Sequence, residues 1–324
     1  MLPDIDTQLS DGATIDCGGS CSDFSMALDD ITADPQKELG LFLKQAAIAS
    51  DRLPTQIRER LFEFQQGKDT SGVLLLKNCP QDIDIDDIPT PQGDSTKNSF
   101  VSEACLAITA AQLGHIFGYA QIENGALFQD IVPVPGREQE QSYASSRVEL
   151  QFHTEQHFHS CMPDYLLLYC IRGAIGAETF FASLRDIISE LDHHHRELLF
   201  EPLYRSGVDY IFGDSATEPG NGPVMSILYG DHDDPFLRYD EDLMVAMTPD
   251  AQSAMDALRS GLKKVMKSVC LKPGDLLMID NRRAVHGRSP FNPAFDGKDR
   301  WLQRSKVKSD IEGITGREEI RLYK

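Results

Sequence analysis

The stretch VELQFHTEQHFHS (residues 148–160) places three histidines and a carboxylate at every second position: His153, Glu155, His157 and His159. Alternate residues of a β-strand share one face, so His153 and Glu155 are predicted to project together, about 6 to 7 Å apart along the backbone. At that spacing an imidazole and a carboxylate can reach one cation. The stretch therefore fits a metal site as well as a polar strand face, and a third ligand has to come from elsewhere in the chain.

A third ligand is offered by GDLLMIDNRRAVHGRSPF (274–291), in which an apolar strand runs into a turn and presents His286. Two histidines and one carboxylate with open positions form the facial triad of non-haem Fe(II) oxygenases. The following stretch DGKDRWLQR (296–304) adds Arg300 and Arg304. A guanidinium binds a carboxylate in a bidentate way, as the clamp for an iron-chelating keto acid requires. Without the triad, the two arginines would fit a solvated strand face.

Around these motifs, from about Gly118 onward, short strand-like runs alternate with turns rich in Gly, Pro and Asp. This pattern predicts a mostly antiparallel sandwich or barrel. Two helical interruptions are predicted, at about 184–200 and 249–268. The predicted strands are ALFQDIVPV, VELQFHTE, DYLLLYCIR, ETFFASL, PVMSILYG, FLRYD, DLLMIDN and RWLQRSKVK.

The N-terminal third has a different pattern. Residues 1–34 are polar and rich in Asp, Gly and Ser, which predicts an irregular arm, whereas residues 35–117 are predicted to form a mainly helical flank. Within this flank we expect two helices broken near Leu53-Pro54, a buried strand in GVLLLKNC, a surface loop over 80–98 and a helix in VSEACLAITAAQLGHIFG (101–118). No repeat or linker is visible, so residues 1–324 are predicted to form a single domain with its β core at 118–310.

The overall charge excludes two classes of partner. The chain carries 31 Lys and Arg against 51 Asp and Glu, a formal charge of −20, which argues against nucleic acid and anionic membranes. No apolar run approaches the roughly 18 to 20 residues of a membrane span, and the start is acidic where a signal peptide would be basic. We therefore predict a soluble, cytoplasmic protein whose seven scattered cysteines are reduced core thiols. The sequence leaves the formation of a homo-oligomer open.

Several motifs carry a family resemblance. FHTE (152–155), YGDHDDPFLRYD (229–240), PGDLLMIDN (273–281) and HGRSPFNPAFDGKDRWLQR (286–304) resemble the clavaminate synthase-like branch of Fe(II)/2-oxoglutarate oxygenases. That branch includes clavaminate synthase and hydroxylases of free arginine, lysine and asparagine. The resemblance implies a mainly β fold with flanking helices and a distorted double-stranded β-helix (jelly roll) core. It also implies Fe(II) as cofactor, with 2-oxoglutarate and O₂ as co-substrates.

The resemblance also implies roles for single residues. His157 and His159 would then be surface groups or neighbours of the metal ligands. The implied iron ligands are His153, Glu155 and His286; Arg300 and Thr179 would hold the distal carboxylate of 2-oxoglutarate; and Arg304, Gln121 and Asp240 would bind the α-carboxylate, the amine and the polar end of an amino acid substrate.

These implied roles favour a free basic amino acid, because burying Asp240 without a cationic partner would be costly. Arg238, two residues before Asp240, would weaken a pocket for a guanidinium if the two shared a strand face, so lysine is predicted ahead of arginine. The expected reaction hydroxylates a side-chain carbon (C3 or C4) and releases succinate and CO₂. The alternatives are an asparagine hydroxylase, a clavaminate synthase-like multistep oxidase of a modified amino acid, and a non-catalytic cupin-like metal-binding protein. A halogenase is disfavoured because Glu155 occupies the position that a halide would need.

Overall fold

Two β-sheets form the centre of the chain. The structure, a computed structural model, describes residues 9, 13–19, 21–68, 71–83, 85, 97, 99–209, 211–212, 217–311 and 320–322. The large sheet has the order β1-β2-β14-β6-β16-β3-β17, with β4 also paired to β16. Its strands are β1 (Thr14–Asp16), β2 (Val73–Lys77), β3 (His115–Tyr119), β4 (Gln129–Ile131), β6 (Tyr165–Arg172), β14 (Leu276–Asp280), β16 (Trp301–Lys308) and β17 (Ile320–Leu322).

The small sheet has the order β13-β7-β15-β5, and all of its pairings are antiparallel. Its strands are β5 (Leu150–His153), β7 (Thr179–Ser183), β13 (Lys267–Val269) and β15 (Ala284–Arg288). Where the chain is described, five short strands lie outside the two sheets: β8 (Tyr204–Arg205), β9 (Val224–Met225) and β12 (Val245–Ala246) form one group, and β10 (Leu228–Gly230) and β11 (Pro235–Leu237) form a hairpin. The antiparallel, mainly β prediction is confirmed.

Seven helices cover the outer faces of the sheets in the described part of the chain. They are α1 (Cys21–Leu28), α2 (Leu39–Ala49), α3 (Thr55–Gln65), α4 (Val101–Leu113), α5 (Leu184–Ile187), α6 (His193–Phe200) and α7 (Pro249–Val265). The break predicted near Leu53-Pro54 lies between α2 and α3. None of the described helices is long and apolar enough to cross a membrane.

Apolar side chains on both faces of the central strands explain the layered arrangement. On β2, Val73 and Leu75 belong to the cluster between the two sheets, whereas Leu74 and Leu76 belong to the cluster under α2, α3 and α4. Such a run, apolar at every position, is typical of a strand buried on both faces. A third cluster packs the outer face of the small sheet against α5, α6 and α7.

Two predictions for the N-terminal third are wrong. The arm is not irregular where it is described: β1 pairs in parallel with β2, and Ile15 and Phe24 are buried in the cluster beneath the helices. The helix predicted over 101–118 ends at Leu113, and the next residues form β3 against β16. Gly114 makes this switch possible, since its φ is 152° and a Cβ there would lie 2.3 Å from the Lys308 carbonyl oxygen.

The predicted surface loop at 80–98 lies mostly outside the described residues. Among its described members, Asp82 accepts hydrogen bonds from the backbone N–H groups of Val101 (2.9 Å) and Ser102 (3.1 Å), and Lys97 contacts the same carboxylate. Asp82 therefore stabilises the start of α4. The six cysteines with described side chains are free thiols, five of them buried, which agrees with the predicted core thiols.

Candidate active site

Two neighbouring strands of the small sheet bring three candidate metal ligands together. His153 on β5 and His286 on β15 are register partners, and their ring centroids are 4.3 Å apart. Glu155 follows two residues after the end of β5. A ring nitrogen from each histidine and a carboxylate oxygen of Glu155 all lie within 4.8 Å of one another. The three residues that the spacing pattern singled out therefore converge on one point.

Glu155 is held by a side chain that the sequence analysis missed. The strand ends at His153, and the Glu155 backbone N–H donates to Oδ1 of Asn281 at 2.7 Å. The Asn281 amide donates back to the Glu155 carbonyl at 3.1 Å and to the Pro163 carbonyl at 2.9 Å. Asn281 directly follows β14, so the large sheet fixes the turn that carries the carboxylate.

The donor set fits a divalent transition metal. Nδ1 of His153 lies 2.9 Å from the Gln151 carbonyl oxygen, an arrangement that places the proton on Nδ1 and leaves Nε2 free to bind a metal. Nδ1 of His286 is buried and has no hydrogen-bond partner within the described chain. Two imidazoles and one carboxylate suit iron and leave coordination positions open for other ligands.

Charges around the triad keep these groups in the forms that bind a cation. Burial raises the pKa of the Glu155 carboxyl, but Arg304, with Nη1 3.0 Å away, and Lys306, with Nζ 3.8 Å away, outweigh this effect and lower the pKa to about 2. Burial lowers the pKa of the His286 imidazole well below its ordinary value. At neutral pH the carboxylate is ionised and the imidazole is neutral, as metal ligands must be.

A cavity of about 540 Å³ opens beside the triad and contains Arg300 and Thr179. Nη2 of Arg300 donates to Thr179 Oγ1 at 3.4 Å. Arg300 is 6% exposed, and no carboxylate among the described residues lies within ion-pair distance of it. Burial lowers its pKa. An isolated buried guanidinium is unfavourable, so the site is suited to an anionic ligand that would pair with it.

Arg288 is a second buried arginine in this cavity, and the sequence analysis did not single it out. Its Nη2 donates to the Val148 carbonyl at 2.9 Å and to Ser145 Oγ at 3.1 Å. These hydrogen bonds pair the Arg288 guanidinium with protein oxygens, so it is less available than Arg300 to bind a ligand. Burial lowers the pKa of Arg288 to about 10.

Arg304 lies between the triad and a glutamine other than the predicted one. Gln121 is exposed in the turn after β3 and does not line the cavity, so its predicted role in binding the amine is wrong. Gln129 on β4 is the register partner of Arg304, and its Oε1 accepts from Nε and Nη2 of Arg304 at 3.3 and 3.2 Å. Because β4 pairs with β16, Gln129 and not Gln121 lies next to Arg304.

Asp240 lines the cavity as predicted, but its neighbours differ from those expected. Oδ1 accepts from the backbone N–H groups of Asp242 (2.9 Å) and Leu243 (2.8 Å). The strand ends at Leu237, so Arg238 does not share a strand face with Asp240. Arg238 instead donates from Nε to the Ser226 carbonyl at 3.0 Å and does not line the cavity. Arg238 therefore gives no reason to prefer lysine over arginine.

His157 and His159 do not continue the face of β5, because the chain turns after His153. His157 is buried and lines the cavity, with Nδ1 3.7 Å from Oδ2 of Asp240. His159 is half-buried, accepts from the Cys161 N–H at 3.0 Å and packs against the Tyr119 ring. His157 is therefore part of the cavity, and His159 is a packing residue beside it.

The fold and the site define an iron-dependent oxygenase with a pocket for an anionic co-substrate. The chain belongs to the family described as "Taurine catabolism dioxygenase TauD, TfdA family", whose model matches residues 63–306. The protein is thus an Fe(II)/2-oxoglutarate-dependent dioxygenase that uses O₂.

Curated proteins and solved structures similar to the chain agree with this assignment. Clavaminate synthase 2 of Streptomyces clavuligerus is 34% identical over 303 residues, 92% of this chain and 93% of that protein. L-lysine 3-hydroxylase of Catenulispora acidiphila is 36% identical over 275 residues, 83% and 76% of the two chains. The crystal structure of an asparagine oxygenase with Fe(II), 2S,3S-3-hydroxyasparagine and succinate superposes with a TM-score of 0.82 at 30% identity, covering 92% of this chain and 94% of that one.

Proposed function

We propose that this dioxygenase hydroxylates a free basic L-amino acid at an unactivated side-chain carbon, C3 or C4, and releases succinate and CO₂. The observation that carries the proposal is that one cavity beside the triad is lined by both Arg304 and Asp240. A free amino acid with a cationic side chain has the complementary charges, a carboxylate for the arginine and a cation for the aspartate.

In this proposal, His153, Glu155 and His286 hold Fe(II), and Arg300 with Thr179 binds the distal carboxylate of 2-oxoglutarate. When bound, the iron supplies the oxidation that couples decarboxylation of 2-oxoglutarate to hydroxylation of a C–H bond. The protein aims one carbon of the substrate at the metal and excludes water from the site. The two-sheet core is, on this view, a distorted double-stranded β-helix within a single domain of residues 1–324.

Arg304 has the hydrogen-bonding capacity for the α-carboxylate. A guanidinium carries five N–H donors, and the contacts of Arg304 with Glu155 and Gln129 involve Nε, Nη1 and Nη2 once each. One donor on each Nη atom therefore remains for the α-carboxylate. Gln129 holds the plane of the guanidinium.

Lysine and arginine are the two leading substrates, since Arg238 points away from the cavity and no longer weighs against arginine. The similar lysine 3-hydroxylase supports a basic substrate. The likeness to an asparagine oxygenase and to clavaminate synthase 2 supports the two alternatives, asparagine and a modified amino acid. A cupin-like binding protein without catalysis would have no use for the isolated buried charge of Arg300.

The test is succinate release by the Fe(II)-loaded protein with 2-oxoglutarate and O₂, screened over the twenty free amino acids. We expect turnover with lysine or arginine and a product one oxygen heavier. Turnover with asparagine would replace the basic substrate by the amide. No turnover with any free amino acid, although 2-oxoglutarate binds, would refute the proposal and favour a modified substrate.

A further inference from the structure

His157 lies at the wall of the cavity next to Asp240, and backbone contacts hold together the two segments that carry these residues. The backbones of His153 and Asp240 form an isolated antiparallel bridge, and the Thr154 N–H donates to the Tyr239 carbonyl at 2.8 Å. The chain segment that carries the candidate metal ligands is thereby tied to the segment that carries Asp240. Any group held between His157 and Asp240 has a defined position relative to the triad.

A hydrogen-bond chain sets the orientation of the His157 ring. Ser206 is fully buried, and its hydroxyl donates to the Gly207 carbonyl at 2.7 Å. Because a hydroxyl has one proton, Ser206 Oγ can only accept from Nε2 of His157, with which it is in contact. The Nε2–H tautomer follows, and it leaves Nδ1 of His157 as a lone-pair acceptor.

That acceptor faces another acceptor. Nδ1 of His157 and Oδ2 of Asp240 are 3.7 Å apart, too far for a hydrogen bond, and both residues line the cavity. Oδ1 of Asp240 is already occupied by two backbone N–H groups, so Oδ2 is the oxygen left for a ligand. Within the described residues, no positively charged group donates a hydrogen bond to either of these two acceptors.

We infer that His157 is a specificity-determining residue, which together with Asp240 binds the terminal nitrogen of a cationic substrate side chain through its Nδ1 lone pair. This inference rests on the proposed function and assigns the recognition of the substrate's distal end. An ammonium or a guanidinium brings two N–H donors on one nitrogen, one for each acceptor. A neutral apolar side chain of the same length would leave both acceptors unpaired, which is the strongest basis for rejecting it.

The experiment measures dissociation constants by anaerobic titration calorimetry, with protein saturated with Fe(II) and 2-oxoglutarate. Lysine is compared with its neutral isostere 2-aminoheptanoic acid, in which a methyl group replaces the ammonium, and arginine with citrulline, which is neutral but keeps a terminal NH₂ group. The variant His157→Gln keeps an amide able to contact Ser206 but has no acceptor at the position of Nδ1. Ser206→Ala, a second variant, releases the ring so that Nδ1 can carry the proton and turn towards Asp240.

A matched control exists on the surface. His195 contacts Ser253 Oγ through Nε2 at 3.1 Å and Asp192 Oδ2 through Nδ1 at 2.7 Å, the same three residue types outside the cavity. His195→Gln is expected to leave all four dissociation constants unchanged. Thermal melting and the affinity for 2-oxoglutarate report whether each variant is folded.

We expect both cavity variants to bind the preferred cationic amino acid about tenfold to a hundredfold more weakly, as loss of one hydrogen bond to a charged group predicts. Binding of 2-aminoheptanoic acid should not change, because its side chain has no donor for either acceptor. Equal weakening of both ligands would show a structural role and overturn the inference. The inference would also be overturned if neither variant weakened binding, or if the wild type did not prefer the cation. If a wild type without that preference hydroxylated a neutral amino acid, the inference about His157 would fail, but the protein would still be an amino acid hydroxylase. Cation binding that depends on His157, without oxidation of any amino acid, would instead refute the proposed function alone.

Discussion

Replacing Arg300 by methionine should have opposite effects on the free protein and on its complex with 2-oxoglutarate. Arg300 is 6% exposed, and within the described residues its side chain donates one long hydrogen bond, 3.4 Å, to Thr179. Replacing buried charge by an apolar side chain of similar size is often neutral or stabilising, by about 1–4 kcal/mol. We therefore expect Arg300→Met to melt at the same temperature as the wild type or higher when no 2-oxoglutarate is present.

The same substitution should remove most of the stabilisation by the co-substrate. Loss of one partner of a buried, hydrogen-bonded charge pair costs about 2–5 kcal/mol of binding free energy, which weakens binding about thirtyfold to several thousandfold. At a hundredfold excess over its dissociation constant, 2-oxoglutarate stabilises the wild type by about 2.7 kcal/mol, roughly 5 °C in melting temperature. Anaerobic differential scanning calorimetry with and without 2-oxoglutarate measures both effects.

Arg282→Met is a control for which the opposite effects on stability and on 2-oxoglutarate binding are expected. Nε of Arg282 donates to Asp280 Oδ1 at 3.0 Å, and the Asp280 side chain is 2% exposed. Arg282→Met removes the hydrogen-bonded partner of that carboxylate and leaves Arg283, with Nε 3.7 Å from Oδ2, as its remaining charged neighbour. It should destabilise the protein, by less than the roughly 3–5 kcal/mol expected for a fully unpaired buried charge, and leave 2-oxoglutarate binding intact. If Arg300→Met lowered the melting temperature as Arg282→Met does, and 2-oxoglutarate still stabilised it, Arg300 would be a structural residue and the co-substrate assignment would fail.

Three further predictions follow from the same geometry. His153→Ala or His286→Ala should abolish succinate release and lower the iron content while the circular dichroism spectrum stays unchanged; turnover by either variant would remove that histidine from the triad. Asp240→Asn should raise the KM for the basic amino acid about tenfold or more without changing 2-oxoglutarate binding, and an unchanged substrate profile in steady-state kinetics would end its assigned role. Burial raises the pKa of Asp82, but Lys97 and hydrogen bonds outweigh this and hold it below the ordinary 3.8. The Asp82 carboxylate therefore stabilises the fold above its ordinary pKa and loses this effect as the pH falls through its folded pKa. Asp82→Asn should lower the melting temperature at pH 7, with the difference shrinking below about pH 4; calorimetry showing a constant difference down to pH 3 would contradict this.

The sequence was sufficient for the triad because its members are marked by local patterns. His153 and Glu155 are two residues apart, and His286 lies in β15, shortly after the apolar run that forms β14. Their convergence needed only the pairing of β5 with β15. The short strand-like runs likewise predicted most of the strands after Gly118, and the two predicted helical interruptions contain α5, α6 and α7.

The residues that the sequence did not reveal act across long separations. Asn281 holds Glu155 from 126 residues away, and Gln129 holds Arg304 from 175 residues away. Two glutamines, Gln121 and Gln129, stand in the same segment, and only the register of β4 against β16 decides between them. No local pattern encodes that register, because it depends on how distant strands pair.

The predicted faces of His157 and Arg238 failed for a different reason. Both predictions extended a strand past its end, at His153 in β5 and at Leu237 in β11. Beyond those points alternate residues no longer share a face. His157 thus lines the cavity because the chain turns after β5, not because it alternates along the strand, and Arg238 does not line the cavity.

The basic-substrate account is tested most directly by a competition experiment. The twenty amino acids are mixed at equal concentration with the Fe(II)-loaded protein, 2-oxoglutarate and ¹⁸O₂, and the products are resolved by mass spectrometry. The account predicts that lysine or arginine gains one labelled oxygen ahead of every neutral amino acid, in step with succinate release. Labelling of asparagine or another neutral amino acid in preference to both would contradict it.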